Sequence, residues 1–248
     1  MIKLTTQDYW ETYYKKSTAQ RKQIEMVVSK YDKFWDLVIK NNDETPQSII
    51  EIGGYPGRYL AYLASKYNLV PTSLDFNSDK TIIQESFHSF GIEKYDIIVA
   101  DFFNHQPTQQ YDIVISNGFI EHFEDYPVVM DNHLKYLKKG GTLLIMIPNK
   151  RYYSFLYKVL VDKKNLDVHN LKCMNFKTFT DFAKRNDLET ICLEYFGGFQ
   201  FSVHQKLNTF QKIIYKLHRF VFKFFLNKYI EKKPTKFFSS TIVAVFKN

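Results

Sequence analysis

The stretch SIIEIGGYPGRYLAYL, residues 48–63, decides how the chain folds. Residues 48–51 are a short apolar run closed by the acid Glu51. Gly53, Gly54 and Gly57 break the run, and Tyr59, Leu60, Tyr62 and Leu63 then recur at helical spacing. The pattern reads as strand, tight turn, helix. Glycines at the carboxyl end of a parallel strand let the backbone approach a ligand closely, and the N–H groups of the following helix point into the same crevice. Such a crevice suits a nucleotide-like cofactor; the alternative is a turn whose glycines serve packing alone. Neither G-x-G-x-x-G nor G-x-x-x-x-G-K-[ST] can be laid on residues 53–58, which weakens dinucleotide and P-loop readings.

Strand and helix patterns alternate outward from this stretch. Strands are expected at residues 68–75, 95–100, 111–117 and 142–147, with helices at 79–90 and 126–138 between them. Such alternation means a parallel sheet with right-handed crossovers. Its consequence is that Glu51, Asp75 and Asp101, each closing a strand, gather along one edge. Any one of them alone could be a turn or N-cap acid. Helices at 8–16 and 20–40 precede the first strand. After Pro148-Asn149, helices at 151–161 and 175–186 flank a polar loop, 162–174, that contains His169 and Asn170. Strands are expected again at 188–195 and 237–246.

Glu51, Gly53 and Gly57 match the acid and the first and third glycines of motif I in the class I S-adenosylmethionine-dependent methyltransferases, with Tyr55 in the place of the middle glycine. YDIVISN at 111–117 looks like their motif IV, and KKGGTLLIMIPN at 138–149 resembles their LKPGGxLxIxxPN run with Lys139 in place of proline. The resemblance covers residues 8–149. It implies an α/β fold: a Rossmann-like, seven-stranded, mostly parallel sheet with helices on both faces, a helical insertion before strand six and an antiparallel strand seven. It also implies one domain over 1–248, with an N-terminal helical cover at 1–46, a substrate-selecting insertion at 150–187 and a covering helix at 204–231. The implied cofactor is S-adenosylmethionine, leaving as S-adenosylhomocysteine. Asp75 then takes the ribose hydroxyls and Asp101 the adenine amino group, with Phe102 beside the base. Gly54, Tyr55, Phe76, Asn117 and Tyr14 complete the cofactor set. Tyr13 and Tyr14 read equally as a lid and as packing.

The formal net charge of +8 favours anionic partners or an anionic membrane surface. Cys173 and Cys192 are too few for a disulfide framework and lack metal-ligand spacing, so no metal is expected and a reducing cytoplasm is the default. No run of the sequence is apolar for the ~18 residues that a membrane span needs. The basic, aromatic residues 207–230 are read as a helix that covers the acceptor site, with peripheral membrane contact as the rival. Methyl transfer from a sulfonium needs alignment and, for a hydroxyl acceptor, a base near neutral pKa. His122, in the loop after strand four, is the first candidate base and His169 the second. Both also read as structural loop histidines. Residues 116–119 lack the Asn/Asp-Pro-Pro-Tyr pattern of base-nitrogen methylation, and no catalytic cysteine pattern is present, which disfavours nucleic-acid acceptors.

EIGGYPGRYL and the terminal SSTIVAVFKN look like bacterial methyltransferases of surface-polysaccharide and related small-molecule pathways. The expected acceptor is therefore a small anionic metabolite, a sugar or nucleotide-linked sugar, placed near Lys150, Arg151, Lys158 and Lys172. A phosphorylated amino alcohol, or a non-catalytic S-adenosylmethionine-binding role, is the alternative.

Overall fold

Residues 2–14, 20–39 and 45–248 are described by the computed structural model. Seven strands run through them: β1 Gln47–Ile52, β2 Leu69–Asp75, β3 Asp96–Val99, β4 Tyr111–Asn117, β5 Leu137–Pro148, β6 Glu189–Phe196 and β7 Thr241–Lys247. They form one sheet in the order β3-β2-β1-β4-β5-β7-β6, parallel throughout except for β7, which is antiparallel to both of its neighbours. The helices are α1 Gln7–Tyr14, α2 Arg21–Val28, α3 Asp32–Val38, α4 Arg58–Lys66, α5 Thr81–Ser89, α6 Tyr126–His133, α7 Tyr152–Val161, α8 Lys163–Asp167, α9 Phe176–Arg185, α10 Thr209–Val221 and α11 Asn227–Lys232.

Period-two alternation along the central strands divides the core. Ile49, Ile113, Ile115, Leu144 and Val245 face one side, where they meet Trp35, Leu60 and Phe87 of α3, α4 and α5. Ile50, Val114, Leu143, Ile145 and Phe246 face the other, against Val129, Phe179 and Phe182 of α6 and α9. A third cluster, of Tyr157, Val161, Phe199, Phe222 and Ile230, fastens the carboxyl-terminal helices to α7. Connections from β1 leave toward β2 on one side, and the chain returns to β4 on the other. This switch point opens a crevice beyond the carboxyl ends of β1 and β4.

Several elements depart from the sequence expectation. The helix expected at 20–40 is broken by a 3₁₀ turn at Ser29–Tyr31: the Asp32 N–H bonds the Ser29 carbonyl, which leaves the Val28 carbonyl to accept the buried Trp35 indole at 3.2 Å. Lys15, Lys16 and Lys40, the expected ends of the first two helices, lie outside the described residues. The helix expected at 126–138 ends at His133, and β5 begins at Leu137 rather than 142. Leu137 pairs with Tyr111 ahead of a bulge, Lys138 Nζ bonds Asp112 at 2.9 Å, and Gly140, at φ +73°, lets its N–H reach the Asn248 carbonyl. The loop expected at 162–174 contains α8 and a 3₁₀ turn at Leu171–Cys173. The single helix expected at 207–230 runs as α10 and α11 through a π-turn, Phe222–Leu226. No helix among the described residues is long and apolar enough to cross a membrane.

Candidate active site

The glycine turn after β1 is held by hydrogen bonds from the Gly53 and Gly54 N–H groups to the Leu74 carbonyl, at 2.9 and 3.2 Å. Gly53 has φ +71°, and a Cβ there would lie 2.6 Å from the Phe119 ring. Backbone and ring therefore meet with no room for a side chain, on the wall of a cavity of about 590 Å³. That volume falls within the range of cofactor sites. Asp75 and Phe76 from the end of β2, Asp101 and Phe102 beyond β3, and Asn117 at the end of β4 also line it. The amino-terminal segment closes the outer side. Lys3 bridges to Phe123, the Leu4 N–H bonds the His122 carbonyl at 2.8 Å, and Thr5, Thr6, Trp10 and Tyr14 face the cavity.

The acids on this wall are held differently. Asp75 accepts N–H groups from Asn77 at 2.8 Å and Tyr55 at 3.3 Å; burial still pushes its carboxyl up. At Asp101 burial is outweighed by an ion pair with Lys3 at 2.7 Å and by the Phe103 N–H, so its carboxyl titrates below the usual range. Glu51 stands behind the wall, 3% exposed. Burial raises it to about 8, against the Asn117 amide that donates to its Oε1 at 2.7 Å. Glu51 Oε2 and Asn117 Oδ1 are buried acceptors with no partner among the described residues. An acceptor in that state is costly unless a donor arrives.

A second cavity, of about 340 Å³, lies beside the first, and Trp10, Tyr14, Asn117, Gly118 and His122 wall both. Around it stand Tyr9 and Tyr13, Tyr31 and Tyr59, and a polar floor of Glu121, Lys150, Lys158 and His169. His122 Nδ1 donates to the Val168 carbonyl at 2.8 Å, and the Trp10 ring meets the imidazole edge-on at 4.8 Å. Its Nε2 has no hydrogen bond among the described residues, and the nearest Glu121 oxygen is 3.9 Å away. Burial lowers the imidazole to about 4, well below the near-neutral value expected of the base, so it is neutral, with an Nε2 lone pair that no described residue takes. His169 is different. Its Nδ1 donates to the Asn165 carbonyl at 2.6 Å, and its Nε2 accepts from Lys150 Nζ at 2.7 Å. Potential ligand atoms of Glu121, His122 and His169 lie within 4.8 Å of one another, but the Lys150 ammonium already occupies the His169 lone pair a metal would need. Lys158 is neutralised by Asp162 at 2.9 Å, whereas Lys150 has no carboxylate within 4.0 Å among the described residues. Burial, then the nearby Lys158, lowers the Lys150 ammonium, and burial raises the Glu121 carboxyl.

The residues expected from sequence thus sort by place. Gly53, Asp75, Phe76, Asp101, Phe102, Asn117 and Tyr14 line the larger cavity, and His122 and His169 meet at 4.6 Å between ring centroids. Gly54 and Gly57 do not line it. A Cβ on Gly54 would lie 2.6 Å from Ser73 Oγ, and one on Gly57 3.2 Å from Ile83 Cγ2, so both serve close packing. Tyr55 turns its ring into the core against Tyr14, 4.9 Å between centroids, and leaves only its N–H at the turn. Lys150 and Lys158 reach the smaller cavity; Arg151 and Lys172 do not. Lys3, Trp10, Glu121 and Asn165 were not anticipated. Trp10 alone left a signal, its i, i+4 spacing to Tyr14 on one helix face.

A family model described as a methyltransferase domain matches residues 20–196, more than half of the chain. The chain belongs to the class I S-adenosylmethionine-dependent methyltransferases. The enzyme is 23% identical over 113 residues to (S)-coclaurine N-methyltransferase of Thalictrum flavum subsp. glaucum, covering 45% of this chain and 31% of that protein. It is 23% identical over 147 residues to phosphoethanolamine N-methyltransferase 1 of Arabidopsis thaliana, covering 55% and 28%. The matched stretches therefore span less than a third of either plant protein. A coclaurine N-methyltransferase solved with N-methylheliamine and S-adenosylhomocysteine superposes with a TM-score of 0.60 at 15% identity, over 94% of this chain and 75% of that one. At that identity the likeness is one of fold. The cofactor of this family is S-adenosylmethionine, and the residues present suit it. Glu51 Oε2 and Asn117 Oδ1, buried acceptors with no partner among the described residues, would suit a donor such as an ammonium, and the Gly53 backbone faces the cavity bare.

Proposed function

We propose that the enzyme methylates a hydroxyl of a small anionic acceptor, a sugar or nucleotide-linked sugar, bound in the smaller cavity. The carrying observation is His122, on the wall common to both cavities with Nδ1 spent and Nε2 free. In this reading Glu51 and Asn117 hold the amino-acid end of the cofactor, Asp75 its ribose, and Asp101 with Phe102 its adenine. Asp101 keeps a lone pair for the adenine amino hydrogens beside its Lys3 contact. The cofactor, when bound, supplies a methyl group on a sulfonium. The chain's part is to align the acceptor and receive its proton. Lys150, with no carboxylate partner among the described residues, anchors the anionic group by charge-assisted hydrogen bonds. The hydroxyl proton then passes to His122 Nε2 as the carbon–oxygen bond forms.

A second reading is N-methylation of a phosphorylated amino alcohol. Tyr9, Trp10, Tyr13 and Tyr14 crowd one wall with aromatic rings whose faces suit an ammonium, and both plant relatives are named as N-methyltransferases. Release of S-adenosylhomocysteine over a panel of nucleotide sugars, phosphosugars, phosphoamino alcohols and uncharged lipophiles tests the two. Turnover of phosphosugars or nucleotide sugars, with a KM raised at least tenfold in Lys150→Met, is the expected result. Turnover confined to amines establishes the second reading, and turnover confined to uncharged acceptors overturns both.

A further inference from the structure

Residues 206–236 contain nine of the chain's 34 basic residues and one of its 26 acids. The rest of the chain has 25 of each sign, so the net charge of +8 belongs to this one segment. Its helix, α10 continued through the π-turn into α11, presents three distinct faces. Ile214, His218, Phe222 and Ile230 turn toward α7 and the third core cluster. Phe210, Ile213, Leu217, Phe220 and Phe224, at alternating spacings of three and four, form one continuous stripe that is 54% to 67% exposed. Lys212, Lys216, Arg219 and Lys223 each precede a member of that stripe. They form a second exposed stripe about 100° around the helix. The π-turn adds Phe225, 65% exposed, and Tyr229 follows at 62%.

A contiguous patch of large apolar side chains is rare on the surface of a free monomer and marks an interaction site. The charge beside it decides the partner. A second copy would bring two segments of +8 together along the same seam, a like-charge contact that opposes pairing. A bilayer with anionic headgroups satisfies both stripes at once. Apolar side chains enter the acyl boundary while Lys and Arg meet phosphates at the level above.

We propose that the helix formed by α10 and α11 docks the enzyme on an anionic lipid surface, with the Phe210–Phe224 stripe inserted and the Lys212–Lys223 stripe on the headgroups. The inference rests on this surface alone and is independent of the acceptor assigned above. Flotation of the full chain with vesicles of phosphatidylcholine, with and without about 30% phosphatidylglycerol, tests it. Binding to the anionic vesicles should be at least tenfold tighter than to neutral ones and should fall at least tenfold between about 0.1 and about 0.5 M salt. The variant K212Q/K216Q/R219Q/K223Q and the variant L217D/F224D should each lose at least tenfold in vesicle affinity. Both should keep parental affinity for S-adenosylhomocysteine, which shows that they fold. Absence of flotation with anionic vesicles overturns the proposal, as does an apolar variant that binds like the parent, which reduces the effect to adsorption of a charged segment. Self-association that L217D/F224D abolishes, with no vesicle binding, also overturns it and assigns the stripe to a second copy.

Discussion

His122 and His169 lie side by side, yet only one has a lone pair to give. Lys150 holds the Nε2 of His169, while His122 donates through Nδ1 to Val168 and keeps Nε2 free. If His122 is the base, His122→Asn should lower kcat by about 10²-fold or more with cofactor affinity little changed. The pH profile gives a second readout. With the imidazole lowered to about 4, the base is unprotonated at neutrality, and kcat at saturating cofactor should fall as pH drops through about 4. The variant should lack that limb. Glu51 gives a slope of the same sign in a higher pH window. In the free enzyme its carboxyl titrates at about 8, so at neutral pH it is mostly protonated. A partner ammonium requires the carboxylate, so binding releases a proton below about 8. Affinity for S-adenosylhomocysteine should rise with pH, by up to about tenfold per unit, and level off above about 8. Calorimetry in buffers of different ionisation enthalpy detects that proton; Glu51→Gln should abolish both the slope and the release.

Among the elements, the glycine turn is where sequence and structure agree best, because backbone freedom leaves a direct mark in the choice of residue. Gly53 and Gly140 have nearly the same φ, +71° and +73°, but different surroundings. A Cβ on Gly140 meets nothing within 4 Å; one on Gly53 meets the Phe119 ring at 2.6 Å. Gly140→Ala should therefore cost about 1 kcal/mol from backbone strain alone. Gly53→Ala should cost a further 1–3 kcal/mol, approximately, from overpacking, and should also weaken cofactor binding. Thermal melts resolve the difference, at about 2–4 °C per kcal/mol for a chain of this size. The strands were legible for a related reason: β1 and β4 carry adjacent apolar residues, Ile49-Ile50 and Ile113-Val114-Ile115, and burial on both faces demands such neighbours. The 3₁₀ turn at Ser29–Tyr31 and the early start of β5 were not legible. The first depends on a single side-chain contact, the Trp35 indole on the Val28 carbonyl, and the second on partners distant in sequence, Asp112 and Asn248, and neither leaves a periodic pattern. Lys3 was hidden likewise, since its contact with Asp101 spans 98 positions.

At the scale of the whole molecule, charge and cavities are segregated. A charge-balanced α/β body holds the chemistry, and the excess of positive charge lies on the helix that leaves it at the carboxyl end. The sequence revealed that the chain is basic, but only the packing of α10 on α7 shows which residues of the helix face outward. The amino-terminal segment joins the two halves of the site. Lys3, Thr5 and Thr6 close over the larger cavity, and Trp10 and Tyr14, a few residues on, wall both cavities. With the donor in the larger cavity and the acceptor in the smaller, as proposed above, the segment that covers the one also walls the other. Its consequence is kinetic: substrates should add in compulsory order, donor first, and the methylated product should leave before S-adenosylhomocysteine. Steady-state inhibition reads this directly. S-adenosylhomocysteine should compete with S-adenosylmethionine, and the methylated product should be noncompetitive against the acceptor. A methylated product that competes with the acceptor would mean that both pockets fill at random, whatever the position of Trp10.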